Sequence, residues 1–228
     1  GLQWLLQLQN IDGGIPTFCR GWGALPFDRS SADITAHAIR AWLAWEPEVP
    51  ARLRGRLIRS TQRALKFIGH SQRSDGSWLP LWFGNEHVPD DENPTYGTAR
   101  VLHAVAVADT HPLVQSPLTD RMCRRAINWF AEAQNADGGW GEDGSSYKLD
   151  YKGYEPAPST PSQTAWALLG LMAAGEVENP AVARGIAYLA KQQNGDGLWN
   201  EERFTAVGFP RVFYLRYHGY AKFFPLWA

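Results

Sequence analysis

The chain has 228 residues, and this length predicts one domain with a large core. Its formal net charge of −1 gives no reason to expect a nucleic acid as partner. No apolar run approaches the length of a membrane span, and two distant cysteines do not make a disulfide framework, which favours a reducing compartment. Aromatic residues make up 13% of the chain and include 11 tryptophans, which suits either a bulky core or a cavity for an apolar or cationic molecule.

The chain repeats one short motif four times, in which a Gln is followed by two residues, Asp-Gly, one residue and an aromatic. The copies occupy residues 9–15, 72–78, 134–140 and 193–199, and the first has Ile15 where the others have Trp. A spacing of about 60 residues indicates a repeat architecture. We interpret the motif as structural, because Gly permits the left-handed turn that ends a helix, Asp caps the turn, and Gln satisfies carbonyl groups and packs against the Trp.

Each copy lies between two predicted helices, an amphipathic one that runs into the Gln and a more apolar one that follows a loop rich in Pro, Gly and Asp. Thr160 and Pro161 illustrate the start of the second type, with a capping Thr and a proline at the first helical position. In chain order the predicted helices cover residues 2–9, 32–45, 61–72, 96–108, 122–134, 162–174, 182–193 and about 212–223. The segments predicted as connecting turns are 46–60, 109–120 and 175–181.

Helical hairpins that repeat stack side by side, which predicts an all-α fold. Because one helix of each pair is apolar nearly all round, we expect an α/α barrel (a toroid) with inner helices around a central cavity and outer helices facing solvent. We expect a single domain, 1–228, of about four hairpins. Four hairpins are too few for a closed ring, and the chain opens inside a helical pattern without a Met, so we expect an incomplete ring whose missing part lies before Gly1.

The first three inner helices share Thr-Ala near their starts, and the residues two positions before Thr are Asp33, Tyr96 and Ser162. All three occupy the same first helical turn, so their side chains are expected to converge at one mouth of the cavity. The helix dipole favours an ionised Asp33 at this place. His37 lies four residues after Asp33 on the same helical face. The two form either a simple capping pair or a functional pair, and the pattern alone leaves both open.

Three segments resemble the C-terminal half of squalene–hopene cyclases: QNADGGWGED at 134–143, STPSQTAWALL at 159–169 and GFPRVFYLRYHGYAKFFPLW at 208–227. With the repeated motif, the resemblance covers nearly the whole chain. It implies an α/α-barrel triterpene cyclase that protonates a terminal double bond of squalene, guides the cation through ring closures and ends by deprotonation or water capture, with hopene- or hopanol-type products. It further implies no metal or redox cofactor, squalene or a similar polyprenyl lipid as substrate, and peripheral contact with the cytoplasmic side of a bacterial-type membrane; it also allows a homodimer.

The resemblance assigns roles to individual residues. Asp33 and His37, in Ala-Asp-Ile-Thr-Ala-His, match the family's Asp-Val-Thr-Ala-His, whose Asp and His support the catalytic acid. A protonated His bonded to a carboxylic acid makes that acid stronger. The residues that match the lining of the substrate cavity are Phe18, Trp82, Tyr96, Phe209, Phe213, Tyr217 and Tyr220.

The last four of these aromatic residues fall at i, i+4, i+8 and i+11, which predicts one continuous stripe along the final helix. Such a stripe suits a carbocation, because a desolvated aromatic face attracts a cation by up to about 2 kcal/mol and is not a nucleophile.

The chain departs from the family in lacking Asp-x-Asp-Asp-Thr-Ala, the motif that carries the proton donor. We therefore expect the acid to come from the portion before Gly1, and we expect no turnover by these 228 residues alone. The acidic run Asp90-Asp91-Glu92 lacks the Thr-Ala context and is interpreted as a solvated loop. The insertion that contains it, just before Tyr96, is expected to reshape the pocket.

Two other functions were weighed. A protein prenyltransferase β subunit needs Asp, Cys and His as zinc ligands, and neither Cys19 nor Cys123 has the expected Asp-x-Cys setting, so no metal site is predicted. A non-catalytic paralogue would bind a polyprenyl lipid or a partner protein and lack the proton donor altogether. The apolar residues 223–227 are either a membrane-contact surface or part of the core.

Overall fold

The computed structural model describes residues 1–17, 29–81, 83–84, 93–142, 157–209 and 213–228, of which 83–84, 206–209 and 213–214 are described by their backbone alone. Within these residues the helices are α1 Leu2–Leu8, α2 Ala32–Trp45, α3 Ala51–Ser71, α4 Pro94–Asp109, α5 Pro117–Ala133, α6 Pro161–Ala173, α7 Pro180–Gln192 and α8 Tyr220–Trp227. The strands are β1 Ile15–Pro16, β2 Ser30–Ser31, β3 Phe83–Gly84, β4 Ala206–Phe209 and β5 Phe213–Arg216.

The helices form two layers. Helices α2, α4, α6 and α8 pack against one another in chain order and make the inner layer, while α3, α5 and α7 pack on α2, α4 and α6 from outside. Helices α4 and α6 are buried on nearly all sides, whereas each outer helix buries a single face. This division follows the apolar pattern of the sequence, and it confirms the predicted all-α fold of repeated hairpins in an α/α-barrel arrangement.

The glutamine of each of the first three motif copies joins its own turn to the next outer helix. The side-chain amide of Gln72 donates to the carbonyl oxygens of Gly76 at 2.9 Å and of Met122, in α5, at 3.1 Å. Gln9 and Gln134 make the equivalent bonds to α3 and α7. Gly76 has φ +102°, and a Cβ there would lie 2.5 Å from the Arg125 carbonyl oxygen, so glycine alone lets α5 approach this closely.

The tryptophan of the motif ties the turn to the inner helix. The indole of Trp78 donates to the Ile68 carbonyl at 2.9 Å, near the end of the outer helix, and the backbone N–H of Trp78 donates to the Thr98 hydroxyl oxygen at 2.9 Å. Trp140 repeats both bonds with Phe130 and Thr164. The Thr of the shared Thr-Ala therefore fixes the start of each inner helix to its turn, and the first turns of α2, α4 and α6 lie at the same end of the molecule.

Two expectations about elements were wrong. The segment 212–223 is not one helix: β4 and β5 form an antiparallel hairpin in which Phe209 is paired with Phe213, and α8 begins at Tyr220. A spacing of four residues between aromatics fits a hairpin as well as a helical face, and the consecutive aromatics Phe213 and Tyr214 favour a strand. Strand β4 also pairs with β3, through Val207 and Phe83, so the loop of the second repeat is joined to the last repeat.

The segment 46–60 is not a connecting turn, because α3 already begins at Ala51. The first turns of α3 are rich in arginine, and of their few apolar residues Leu57 is buried in the core. The apolar pattern of these turns is therefore too weak to predict a helix. Helix α5 likewise begins at Pro117, inside the predicted turn 109–120, where Ser116 and Thr119 form a reciprocal capping box.

Candidate active site

The first turns of the inner helices form one polar end of the inner layer. Asp33, Tyr96 and Ser162 are all buried there, as expected from their shared position relative to Thr-Ala. Helix α4 is capped by the Asn93 side chain, which accepts from the backbone N–H of Tyr96, and α6 is capped in the same way by Thr160.

A carboxylate satisfies the start of each of these helices. Glu142 accepts from the hydroxyl of Thr95 at 3.0 Å and from its backbone N–H at 3.3 Å, and Glu201 accepts from the hydroxyl and backbone N–H of Ser162, both at 3.1 Å. Each Glu lies two residues after the Trp of a motif and caps the inner helix of the preceding repeat. Neither glutamate was predicted, although their identical place in two repeats was a visible signal in the sequence.

Helix α2 has no such glutamate, since Pro80 stands two residues after Trp78, and Asp33 takes over this place from within the helix. Its carboxyl group, only 5% exposed, accepts from the Ser31 hydroxyl and from backbone N–H groups that include those of Ile34 and Leu81. Burial raises the pKa of Asp33, and these hydrogen bonds oppose the rise without cancelling it. The carboxyl group therefore keeps its proton to a higher pH than an ordinary Asp, which is the opposite direction to the effect of the helix dipole on its pKa.

His37 opens onto a groove of about 480 Å³ between α2 and α4, which His103, His111 and Arg40 also line. Burial lowers the pKa of His37, and the positive charges of Arg100 and Arg40 lower it further. No hydrogen bond joins His37 to Asp33 within the described part of the chain. The structure therefore does not pair the two residues directly, and it favours a neutral imidazole over the protonated one that would strengthen a bonded carboxylic acid.

Four aromatic rings meet beside Asp33, and we call Tyr96, Trp166, Tyr220 and Phe224 the aromatic cluster. Trp166 is central, with ring centroids 5.1 Å from Tyr96, 5.9 Å from Tyr220 and 5.4 Å from Phe224, all edge to face. Tyr217, partly exposed, stacks on Tyr220 at 5.2 Å. The structure thus brings together three of the predicted cavity residues, Tyr96, Tyr217 and Tyr220.

The tyrosines of the cluster stay neutral over the physiological range. Burial raises the pKa of Tyr96 well above its ordinary value, with a further contribution from the nearby Asp33, and burial raises the pKa of Tyr220 to about 12. A neutral phenol presents a ring face and a weak hydroxyl, whereas a phenolate would be a nucleophile.

Arg100 lies in the middle of this arrangement and was missed by the sequence analysis. Its guanidinium stands over the rings of Tyr96, at 5.2 Å, and Phe224, at 5.4 Å. The signal was a single arginine inside an otherwise apolar inner helix. Trp166 and Phe224 were missed as well, because each also fits an ordinary core position.

Several predicted residues cannot be placed in the cluster. Phe18, Trp82 and the acidic run from Asp90 to Glu92 lie outside the described residues. Phe209 and Phe213 are register partners in the backbone of the β4–β5 hairpin and do not lie along a helix.

The described residues contain neither a candidate metal site nor a helix that could span a membrane. No group of three or more His, Cys, Asp and Glu residues lies close enough to hold a metal ion. Among the described helices, none has both the length and the apolar composition that crossing a membrane requires.

Comparison with known proteins identifies the family. Residues 1–228 match the squalene-hopene cyclase C-terminal domain. The chain is 45% identical over 240 residues to a probable squalene–hopene cyclase of Sinorhizobium fredii, covering 100% of this chain and 34% of that protein. It is 45% identical over 241 residues to the squalene–hopene cyclase of Bradyrhizobium diazoefficiens, covering 100% of this chain and 33% of that protein. The chain thus spans about a third of the length of these curated relatives.

Solved structures share the fold. The type II terpene cyclase MstE from Scytonema, in complex with geranylgeranyl dihydroxybenzoate, superposes with a TM-score of 0.58 at 17% identity over 92% of this chain and 52% of that one. The ent-copalyl diphosphate synthase from Streptomyces platensis gives a TM-score of 0.54 at 24% identity over 80% of this chain and 29% of that one. By sequence over its whole length, the chain belongs to the squalene–hopene cyclase family, of which it represents the C-terminal domain.

Proposed function

We propose that this chain is part of the catalytic barrel of a triterpene cyclase, which converts squalene or a related polyprenyl substrate by acid-initiated carbocation cyclisation to hopene- or hopanol-type products. The observation that carries the proposal is the aromatic cluster beside the buried Asp33 carboxyl group, at the polar end of the inner helices of a family member.

The chemistry needs a proton first and a sheltered cation afterwards. An acid adds a proton to an alkene carbon, each ring closure moves the positive charge along the chain, and a final deprotonation or attack by water removes it. A desolvated ring face stabilises the cation by up to about 2 kcal/mol. The neutral phenols of Tyr96 and Tyr220 fit this need, because they would not capture the cation as phenolates do.

In this proposal Asp33 and His37 support the catalytic acid, and neither residue is itself the proton donor. A buried carboxyl group with a raised pKa can hold a proton and hydrogen-bond to a neighbouring acid, and a neutral His37 can accept a hydrogen bond from one. The acid itself is expected outside these residues, since Asp-x-Asp-Asp-Thr-Ala does not occur in the sequence. The 228 residues alone should therefore not cyclise squalene.

An apolar surface on α8 supports contact with a membrane. Phe223, Leu226 and Trp227 are each more than 60% exposed, on the helix whose other side carries Phe224 of the aromatic cluster. A water-insoluble substrate would enter most directly from such a surface, and we place the protein at the cytoplasmic side of the membrane as a peripheral protein. The same surface is also available to a homodimer.

A non-catalytic protein that binds a polyprenyl lipid is the second candidate. The hydrogen bonds of Asp33 favour it, since they are those of a helix cap and need no catalytic role. Sequencing the coding region upstream of Gly1 separates the two: an in-frame Asp-x-Asp-Asp-Thr-Ala supports the cyclase, and its replacement supports the binding protein.

The direct test is an incubation with squalene. The protein with any upstream segment is assayed by gas chromatography and mass spectrometry, beside the variants Asp33→Asn and Trp166→Leu. Both should lower the yield of cyclised product, because one removes a proton-holding group and the other the centre of the cluster. Unchanged yields in both variants would reject this assignment of the site.

A further inference from the structure

Arg100 is a buried cation in a place that the proposed reaction does not explain. It lies on α4 one turn after Tyr96, is 8% exposed, and rests its guanidinium on the rings of Tyr96 and Phe224. Two of the four rings of the aromatic cluster therefore already face a positive charge that belongs to the protein.

Two of the three guanidinium nitrogens of Arg100 make no hydrogen bond to the described residues. Its Nε and Nη2 atoms are buried and have no acceptor, and no ion pair of Arg100 occurs in the part of the chain that the structure describes. Asp33 is close enough to influence the charge on Arg100, but its carboxyl group is bonded to Ser31 and to backbone N–H groups. Charged donors that are buried without an acceptor cost free energy, so a missing acceptor is the simplest completion of this site.

The surroundings of Arg100 favour an acceptor with negative charge. Arg40 and the imidazoles of His37 and His103 lie on the same side of α2 and α4, near enough to act on one another electrostatically. The described lining of the groove between the two helices contains these basic side chains and no carboxylate. An anionic oxygen would gain from the positive charges of Arg100 and Arg40, and a second cation would be repelled by these two guanidinium groups, while the lowered pKa values of His37 and His103 leave the imidazoles neutral.

The unpaired donors of Arg100 distinguish two possible roles of this arginine: repelling a carbocation, and binding an oxygen atom of a ligand. If Arg100 only kept a carbocation away from this end of the cavity, its N–H groups could be satisfied by the protein at no loss. Their lack of partners indicates that a ligand supplies the acceptor. We propose that Arg100 is a specificity-determining residue that binds an oxygen group, best a carboxylate or phosphate, on an isoprenoid ligand. The inference rests on the proposed isoprenoid-binding site, but it does not require catalysis.

Binding measurements test this directly. Quenching of tryptophan fluorescence is recorded for the chain in one detergent, with four C20 probes of the same isoprenoid length: geranylgeranyl diphosphate, geranylgeranoic acid, geranylgeraniol and the corresponding hydrocarbon. The wild-type protein should bind the acid and the diphosphate more tightly than the hydrocarbon by about ten- to a hundredfold, the effect of a charged hydrogen bond.

Three variants locate the effect. Arg100→Met should abolish the preference and leave hydrocarbon binding intact, and Arg100→Lys should retain part of it. Arg124→Met, on the exposed face of α5, is the matched control and should keep the wild-type preference. Circular dichroism verifies that each variant is folded, and the wild-type comparison decides the matter even if Arg100→Met does not fold.

The failures are distinguishable. Equal affinity of the wild-type protein for all four probes, or a preference that survives Arg100→Met, overturns the role of Arg100 and leaves the isoprenoid site standing. If none of the probes binds, the isoprenoid site itself is rejected and the proposal falls with it. Loss of the preference in Arg124→Met would also contradict it, since the effect would then be a general one of charge.

Discussion

The close approach between a motif turn and the next outer helix can be tested at single glycines. Gly76 and Gly197 occupy the same position in two copies of the motif, with φ +102° and +80°. A Cβ at Gly76 would lie 2.5 Å from the Arg125 carbonyl oxygen, nearly 1 Å short of the 3.4 Å of ordinary contact, whereas the nearest atom to a Cβ at Gly197 is Gln193 Nε2 at 4.0 Å. Alanine at either position thus meets the same backbone strain, but only at Gly76 does it push against a helix.

The strain of a left-handed alanine costs about 1–2 kcal/mol, and the displacement of a packed helix adds about 1–3 kcal/mol. The variant Gly76→Ala should therefore melt about 2–12 °C below Gly197→Ala in a thermal scan followed by circular dichroism. The entropy that alanine removes from the unfolded chain is the same in both variants and cancels in the comparison. Equal melting temperatures would refute the idea that these turns are docking points for the next helix.

Three further predictions concern single side chains. Gln134→Leu should lower the free energy of unfolding, measured in urea, by about 1–3 kcal/mol, because it removes the hydrogen bonds to the carbonyls of Gly138 and Ala181. Gln193→Leu should cost less, because the only described hydrogen bond of Gln193 stays inside its own turn. The reverse order of the two losses would argue against the bridging role. The raised pKa of Asp33 means that the folded state holds this proton more tightly, so the stability that it contributes is present below about pH 4 and is lost as the pH rises through the folded pKa. Asp33→Asn should flatten the profile of unfolding free energy against pH above that point, and an unaltered slope would contradict the assignment. Trp166→Leu should weaken isoprenoid binding by about tenfold, which corresponds to the loss of one to two ring contacts. The affinity is measured by titration followed by tryptophan fluorescence or calorimetry, and an unchanged affinity would contradict the prediction.

The sequence was sufficient for the fold where the local signals agreed. Helix α2 was predicted at Ala32–Trp45 with the ends that it has, since its apolar period, its Thr-Ala and the preceding motif all indicate the same boundaries. The prediction of one helix over 212–223 was wrong because the four-residue spacing of the aromatics from Phe209 to Tyr217 fits both the 3.6-residue period of a helix and the two-residue period of a strand. Only the pairing of β4 with β3, a contact between distant repeats, distinguishes them.

The candidate site was predictable in part for the same reason. The burial of Asp33 and Tyr96 at one end followed from their shared helical position, which is a local property. The contacts of Arg100 and Trp166 depend on α8 folding back onto α6, so neither could be derived from the spacing within one helix. The capping of α4 by Glu142 likewise joins neighbouring repeats: the shared position of Glu142 and Glu201 after the motif Trp is visible in the sequence, but the helix that each caps is not.

The most direct test of the account is whether the protein cyclises an isoprenoid, either without a change in mass or with the gain of one water. The protein with any upstream segment is incubated with squalene and with the oxygen-bearing C20 isoprenoids, and the extracts are analysed by gas chromatography and mass spectrometry, after removal of phosphate where it is present. The proton taken up at the start is returned at the end, so the account predicts a cyclic isomer of the substrate, or that isomer plus one water. Recovery of every substrate unchanged would contradict it and leave a lipid-binding protein as the function.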